Sequence, residues 1–100
     1  MTSKEVIIQL SNEYRIAETK TFQKVMHRYE YERFHEKLES HVYPVLRENP
    51  HYGQHIKKLK GEFREIYRYR ISDYRLFYTI DERNRIVFML DFHHRKDAYR

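Results

Sequence analysis

Residues 67–78 read Tyr-Arg-Tyr-Arg-Ile-Ser-Asp-Tyr-Arg-Leu-Phe-Tyr, two runs of alternating apolar and polar side chains parted by a Ser-Asp pair. Alternation at period two sends successive side chains to opposite faces of a strand, and a two-residue polar break between two such runs is a hairpin. The pattern also sets a local register. With Ser72 and Asp73 as the loop, Ile71 pairs with Tyr74, Arg70 stands directly across from Arg75, and Arg68 shares their face two residues back. Like charges facing each other across a ladder destabilise it by roughly 0.2–1 kcal/mol. A purely structural sheet has no use for three guanidinium groups on one face, whereas a surface that must hold a polyanion has.

Three antiparallel strands are expected here, over residues 65–71, 74–80 and 85–92. A one-residue slip would turn every side chain of a strand to the other face. A three-residue loop, Glu82-Arg83-Asn84, places Ile86, Phe88, Leu90 and Phe92 beside Leu76, Tyr78 and Ile80 on one core face, with Asn84 in a left-handed conformation. In that register Asp91 lies opposite Arg75, and the other face holds Arg68, Arg70, Arg75, Phe77, Val87, Met89, Asp91 and His93.

The first half of the chain changes period. Val6 to Leu10 is a short β-branched run ended by Ser11-Asn12 and reads as a strand. Phe22, Val25, Met26 and Tyr29 then recur at three and four, as on an amphipathic helix capped by Thr19 or Thr21. A second stripe, Phe34, Leu38 and Val42, continues it or follows a bend near Tyr31. Pro44 biases Tyr43 out of the helical region and ends or kinks the helix, with Val45 and Leu46 in a further turn. Asn49-Pro50-His51-Tyr52-Gly53 is a loop, and Ile56-Lys57-Lys58-Leu59-Lys60-Gly61 leads into the strands, with Gly61 in a turn. The expectation is one α+β domain spanning residues 1–100. It has an N-terminal strand, two helices or one kinked helix, and a three-strand meander that completes a four-stranded sheet with the helices on one face.

Charge sharpens the functional reading. The net charge is +5, and all of the excess lies in residues 51–100, which carry twelve Lys/Arg against seven Asp/Glu, while residues 1–50 carry eight of each. Such asymmetry fits a basic face for nucleic acid or an acidic partner, or else a mildly basic surface kept for solubility. The absence of Cys excludes a disulfide framework, a thiolate metal site and a cysteine nucleophile, and it suits a reducing compartment. The first ten residues carry only a short apolar run with an early acid, unlike a secretory signal or a membrane span. The reading is a soluble cytoplasmic protein with no membrane association.

The strongest constellation joins the arginine hairpin to the tail His93-His94-Arg95-Lys96-Asp97-Ala98-Tyr99-Arg100. Arginine presents a planar fork of donors suited to phosphate, and interleaved aromatics stack on unpaired bases. RNA cleavage by a 2′-hydroxyl on its neighbouring phosphorus needs charge neutralised at the phosphorane, an in-line approach and proton transfer. Arginines serve the first need, and His or Tyr the last. The bland reading is that Arg75 only pairs with Asp91 and that Tyr67, Tyr69 and Tyr78 are core; the core assignment suits those tyrosines. Seven histidines fall at no metal-ligand spacing, so no metal and no cofactor is expected, and His27, His35, His41, His51 and His55 read as surface or loop residues. Lys57, Lys58 and Lys60 are either phosphate contacts or a solvated basic turn, and His93 is placed on the RNA-facing floor.

The order of elements, the 56–61 segment, the 67–78 hairpin and His94-Arg95-Lys96-Asp97-Ala98-Tyr99 together resemble the RelE/ParE superfamily of bacterial and archaeal toxins. The resemblance spans nearly the whole chain and implies a compact α+β toxin of a type II toxin-antitoxin module. Its basic face would be covered by a cognate acidic antitoxin in a hetero-oligomer. In the RelE branch it implies a metal-free, ribosome-dependent endoribonuclease that cuts mRNA in the ribosomal A site, against ribosomal RNA. The ParE branch uses the same fold to inhibit DNA gyrase, and a non-catalytic antitoxin-binding member is a third reading. Arg75 matches the family's phosphate-binding arginine, Arg95 its C-terminal catalytic arginine and Tyr99 its terminal tyrosine. Arg68 and Arg70 stand where RelE has lysines. Arginine is a poor general base, so His94, where other branches carry a catalytic histidine, takes that role. The complete cationic and tyrosine set tilts the reading to the ribonuclease.

Overall fold

The computed structural model describes residues 13–97. Five strands form one sheet in the order β1-β5-β4-β3-β2: β1 Arg15–Glu18, β2 Ile56–Lys58, β3 Tyr67–Ile71, β4 Tyr74–Asp81 and β5 Ile86–His94. β1 runs parallel to β5, and the other pairings are antiparallel. The α+β class and the one-sided helical layer stand as expected, but the described residues alone form five strands where four were expected. The strand expected over Val6 to Leu10 lies outside the described residues. The two strands the periodicity did not assign, β1 and β2, have four and three residues, too short to display an alternating pattern.

Helix α1, Lys20–Met26, starts where Thr19 Oγ1 accepts the Phe22 amide at 3.1 Å. The same hydroxyl donates to the Met89 carbonyl at 2.8 Å, so one side chain both caps the helix and ties it to β5. At the other end His35 Nε2 donates to the Met26 carbonyl at 2.6 Å, which closes the helix after two turns. Phe22 and Met26 are buried, but Tyr29, expected on the same stripe, is 89% exposed because the helix has already ended.

A second helical segment follows over residues 29–48, passing through a 3-10 stretch (Tyr29–Phe34), an α turn (His35–Lys37), a π turn (Leu38–Val42) and a final α stretch (Tyr43–Glu48). Contrary to the expectation, Pro44 does not expel Tyr43 from the helical region: Tyr43 keeps φ −61 and ψ −41. The helix instead widens ahead of the proline, and the Tyr43 amide reaches back five residues to the Leu38 carbonyl. That relieves the clash the ring would make in a regular α turn and absorbs its missing N–H. Leu38, Val42, Tyr43 and Leu46 pack on Tyr69, Ile71, Leu76, Tyr78, Val87, Met89 and Phe92 of the sheet. No helix among the described residues is long and apolar enough to cross a membrane.

The hairpin register holds as read: Ile71 faces Tyr74, and Arg70 faces Arg75. Ser72, the first loop residue, takes φ 55. The β4–β5 register differs from the expectation. Asp81 pairs with Ile86, so the connection has four residues, Glu82 to Arg85, and Arg85 rather than Asn84 takes the left-handed conformation, at φ 53. Val87 and Met89, expected on the arginine face, are therefore core, while Ile86, Phe88 and Leu90 leave the core set. A bulge between the Tyr78–Met89 and Phe77–Asp91 pairs then returns Phe92 to the core. The strict alternation used to argue the shorter loop fails at this bulge, because one extra residue inverts the facing of everything beyond it.

Candidate functional site

The helices cover one face of the sheet, and the other carries the cations. Lys57 pairs across to Arg68, and Arg70 to Arg75, so the strand pleat puts all four side chains on the uncovered face. Phe77, Asp91 and His93 join them, because Arg75 pairs with His93 and Phe77 with Asp91. Asp91 is thus opposite Phe77 and not opposite Arg75, and it makes no ion pair with Arg75. Exposed Arg70 likewise has no acidic partner among the described residues.

Arg75 is held by one nitrogen. Its Nη1 donates to the carbonyls of Ser72 at 3.1 Å and Tyr74 at 2.9 Å, both in or beside the hairpin turn. Its Nε is buried and has no hydrogen-bond partner among the described residues. An unsatisfied buried donor on a guanidinium costs stability and calls for an explanation. The burial that strands Nε also keeps an anion from it; the donor this fork leaves for an anion on the floor is Nη2, which is not buried and has no partner among the described residues.

Asp91 and His93 form a dyad on the same floor. His93 Nε2 lies 2.7 Å from Asp91 Oδ2, while Asp91 Oδ1 accepts the Phe92 amide at 2.9 Å. The backbone bond fixes the carboxylate, and the carboxylate fixes the imidazole as the tautomer with its proton on Nε2. Nδ1 is left as a lone pair with no hydrogen-bond partner among the described residues, on the residue directly across from Arg75. A carboxylate behind an imidazole beside a row of cations is the arrangement a general base requires.

His94, the residue expected as that base, is placed differently in two respects. As the next residue on β5 it points to the helix-covered side, edge-on to the Tyr74 ring at 5.0 Å. Its Nδ1 accepts the Lys96 amide at 3.2 Å, so neutral His94 carries its proton on Nε2 and presents a donor, not a lone pair. Strand alternation separates the neighbouring histidines, and among the described residues the structure puts a carboxylate behind His93 and none behind His94. Asp91 two residues before His93 was the available signal, since i and i+2 share a strand face.

The remaining expected residues divide. Lys57 joins the floor, whereas Lys58, across from Tyr67, turns to the other face with its Nζ 5.8 Å from that ring. Lys60 lies beyond the end of β2 and is exposed. Arg95 leaves the strand at the hairpin tip, where its amide donates to the Asp73 carbonyl at 2.6 Å and its Nε lies 3.5 Å from the Asp73 carboxylate. Tyr99 lies outside the described residues.

His51, read as a loop residue, is in the loop but not idle. Its Nε2 donates to Glu82 Oε1 at 2.8 Å, and its Nδ1 is 3.3 Å from the Tyr67 hydroxyl. Tyr14 donates to the other Glu82 oxygen at 2.6 Å, and Arg85 bonds both Glu82 and Tyr14. These donors hold the Glu82 carboxyl below its usual range, with the Tyr14 bond foremost, while burial and Glu82 push Tyr14 up. The cluster pins the β4–β5 turn and also supports the left-handed Arg85 through its side chain.

Residues 14–99 match the family described as the ParE toxin of type II toxin-antitoxin system, parDE. No curated protein sequence is similar enough to match. Among solved structures, the chain is similar to the toxin-antitoxin complex RelBE2 from Mycobacterium tuberculosis at 26% identity and a TM-score of 0.71, over 85% of this chain and 94% of that one. It is similar to the archaeal RelE-RelB complex from Pyrococcus horikoshii OT3 at 25% identity and a TM-score of 0.60, over 86% and 99%. The RelB-RelE antitoxin-toxin complex from Methanococcus jannaschii, at 21% identity and a TM-score of 0.59 over 83% and 94%, shares the fold.

Proposed function

The chain belongs to the ParE toxin family of type II toxin-antitoxin systems, and we propose that within it this protein is a ribonuclease that cuts mRNA in the ribosomal A site. The observation that supports the reading is the Asp91–His93 dyad across from Arg75 on an uncovered cationic floor. Arg68, Arg70 and Arg75 hold the scissile phosphate, and Lys57 extends the row to the next one. His93 Nδ1 takes the proton of the 2′-hydroxyl as its oxygen bonds to phosphorus. The arginines stabilise the phosphorane that forms, and Arg95 stands at the hairpin tip to meet the developing charge on the leaving 5′-oxygen, which takes its proton from water. Tyr99 positions the base. The products are a 2′,3′-cyclic phosphate and a 5′-hydroxyl.

The partners follow from the same surface. Relatives of this fold were solved with RelB antitoxins, and an acidic antitoxin laid over the floor would pair its cations and bury the dyad, silencing the toxin. Induction of the protein without its antitoxin is expected to arrest translation, with mRNA cut only where ribosomes stand, and Arg75→Ala is expected to abolish both effects. The family's name supplies the rival: a ParE-like toxin would leave mRNA intact and trap gyrase on DNA, and that outcome would overturn the ribonuclease reading.

A further inference from the structure

On the helix-covered side of the hairpin tip, a groove of about 440 Å³ is lined by Arg33, Phe34, Lys37, Asp73, Tyr74 and His94, with Ser72 at its edge. It is separated from the arginine floor by the sheet itself and shares with it only the Ser72-Asp73 turn. Its cations are arranged for a ligand. Arg33 lies over the Phe34 ring at 4.8 Å and donates from Nη2 to the Tyr74 hydroxyl at 3.2 Å, so its fork is held in place with further N–H groups to give. Lys37 stands one helical turn on, exposed and with no acid pairing it among the described residues. His94 offers the Nε2 proton its bond to the Lys96 amide dictates. The single carboxylate, Asp73, is already engaged by Arg95.

The aromatic wall is not a platform for a base. Tyr74 is stacked on Phe92, with ring planes 7° apart, and is crowded by Phe34 at 4.6 Å, so its faces are taken. The groove therefore suits a compact anion rather than a ring. The donors also continue round the tip: Arg75 is bonded to the Ser72 carbonyl from the open face, Arg95 sits on Asp73 at the turn, and the cations Arg33 and Lys37 lie beyond it with the neutral His94 beside them. A row of cations and donors around a narrow turn, interrupted only by the Asp73 carboxylate that Arg95 pairs, fits a flexible polyanion better than a helical or strand-like peptide.

We propose that this groove is a second phosphate-binding subsite, which takes a backbone phosphate of the same RNA strand after the strand has passed over the hairpin tip from the arginine floor. The proposal rests on the ribonuclease reading, since it needs RNA on the floor. Its consequence is a footprint longer than the cleavage dinucleotide, fixed by backbone contacts that carry no base preference.

The test uses the full chain and two 2′-O-methyl RNAs that cannot be cut, a dinucleotide and an octanucleotide, with binding read by fluorescence anisotropy across a salt series. Lys37→Glu and Arg33→Gln are each expected to weaken the octanucleotide about tenfold, the scale of one charge-assisted contact, and to reduce its salt slope by about 0.7 per phosphate lost. Dinucleotide binding should not change, which also shows that the variants are folded. Titration of inorganic phosphate should shift the His94 imidazole resonances saturably in the parent and not in Lys37→Glu. If Arg75→Ala weakens both RNAs while the groove variants weaken neither, the groove proposal falls and the floor stands. If Arg75→Ala also leaves both unchanged, the RNA reading itself has failed. Loss of antitoxin binding in the groove variants with RNA binding intact would assign the groove to the protein partner and overturn the proposal.

Discussion

Replacing Asp91 by Asn removes one charge and no volume, and the structure dictates how the new amide must sit. Oδ1 of Asp91 accepts the Phe92 amide at 2.9 Å, so the Asn carbonyl must occupy that position to keep a backbone donor satisfied. Its NH2 then falls where Oδ2 stood, 2.7 Å from His93 Nε2. A donor facing Nε2 obliges that nitrogen to accept, so the imidazole proton moves to Nδ1 and the lone pair is withdrawn from the floor. If His93 is the base, the variant has the right residue in the wrong tautomer. The same change in a Ser-His-Asp triad costs about 10⁴ in rate, and loss of general-base catalysis alone costs about 10²–10⁴, so a drop within that span is expected. Stability should change by no more than about 0.5 kcal/mol, because both side chains are about one-third exposed. The assay is single-turnover cleavage of mRNA on programmed ribosomes, with fragment ends mapped and thermal unfolding run in parallel. A variant that folds, binds and still cleaves at the parental rate would refute the dyad, and if His94→Gln then proved inactive the base would return to His94.

Three further outcomes follow from other parts of the molecule. Glu82 is held below the usual carboxylate range by the bonds from Tyr14 and His51; a depressed carboxylate stabilises above its unfolded value and loses that contribution as pH falls through the folded one. Acid unfolding below about pH 4.3, the unfolded value for Glu, should therefore be less steep in Glu82→Gln than in the parent when followed by circular dichroism. Tyr78 is fully buried and donates to the Pro50 carbonyl at 2.7 Å. Tyr78→Phe leaves that acceptor unpaired and should cost about 1–2 kcal/mol in urea unfolding; an unchanged midpoint would mean that water replaces the bond. Arg70→Thr removes the facing guanidinium pair with Arg75, and should raise stability by roughly 0.2–1 kcal/mol while lowering RNA affinity.

What the sequence carried, and what it did not, follows from how local each decision is. The hairpin at Ser72-Asp73 is set by twelve consecutive residues, so its register and the shared face of Arg68, Arg70 and Arg75 were legible. The Phe34, Leu38 and Val42 stripe was legible for the same reason. β1 and β2 were not, because each is too short to show a period and exists through pairing with β5 and β3. The β4–β5 register was lost at the bulge: Val87, Met89 and Phe92 form the core set, a spacing of two then three that strict alternation cannot produce. That slip left the cationic floor intact, since Arg75, Phe77, Asp91 and His93 lie on one side of the bulge together. The sequence reading took His94 as the base, and the proposal of His93 in its place needs the facing of β5 and the position of one carboxylate, neither of which is local.

The floor and the groove depend on the same structural economy. A sheet of this size buries one face against helices, and Tyr69, Ile71, Leu76 and Tyr78 spend every second position of β3 and β4 on that core. The intervening positions are released from packing, and this chain fills them with arginine at the expense of a repulsive Arg70–Arg75 pair. Alternation then forces β5 to present consecutive histidines to opposite sides, one backed by Asp91 and one by the helical segment through Tyr74. The open lone pair of His93 and the Nε2 proton of His94 are therefore divided between floor and groove by the strand itself, and only a ligand that bends round Ser72 and Asp73 meets both. Under the ribonuclease reading, single-stranded RNA can follow that path whereas a duplex, which is stiff over this length, cannot, so a duplex of equal length is expected to compete for the floor without reaching the groove.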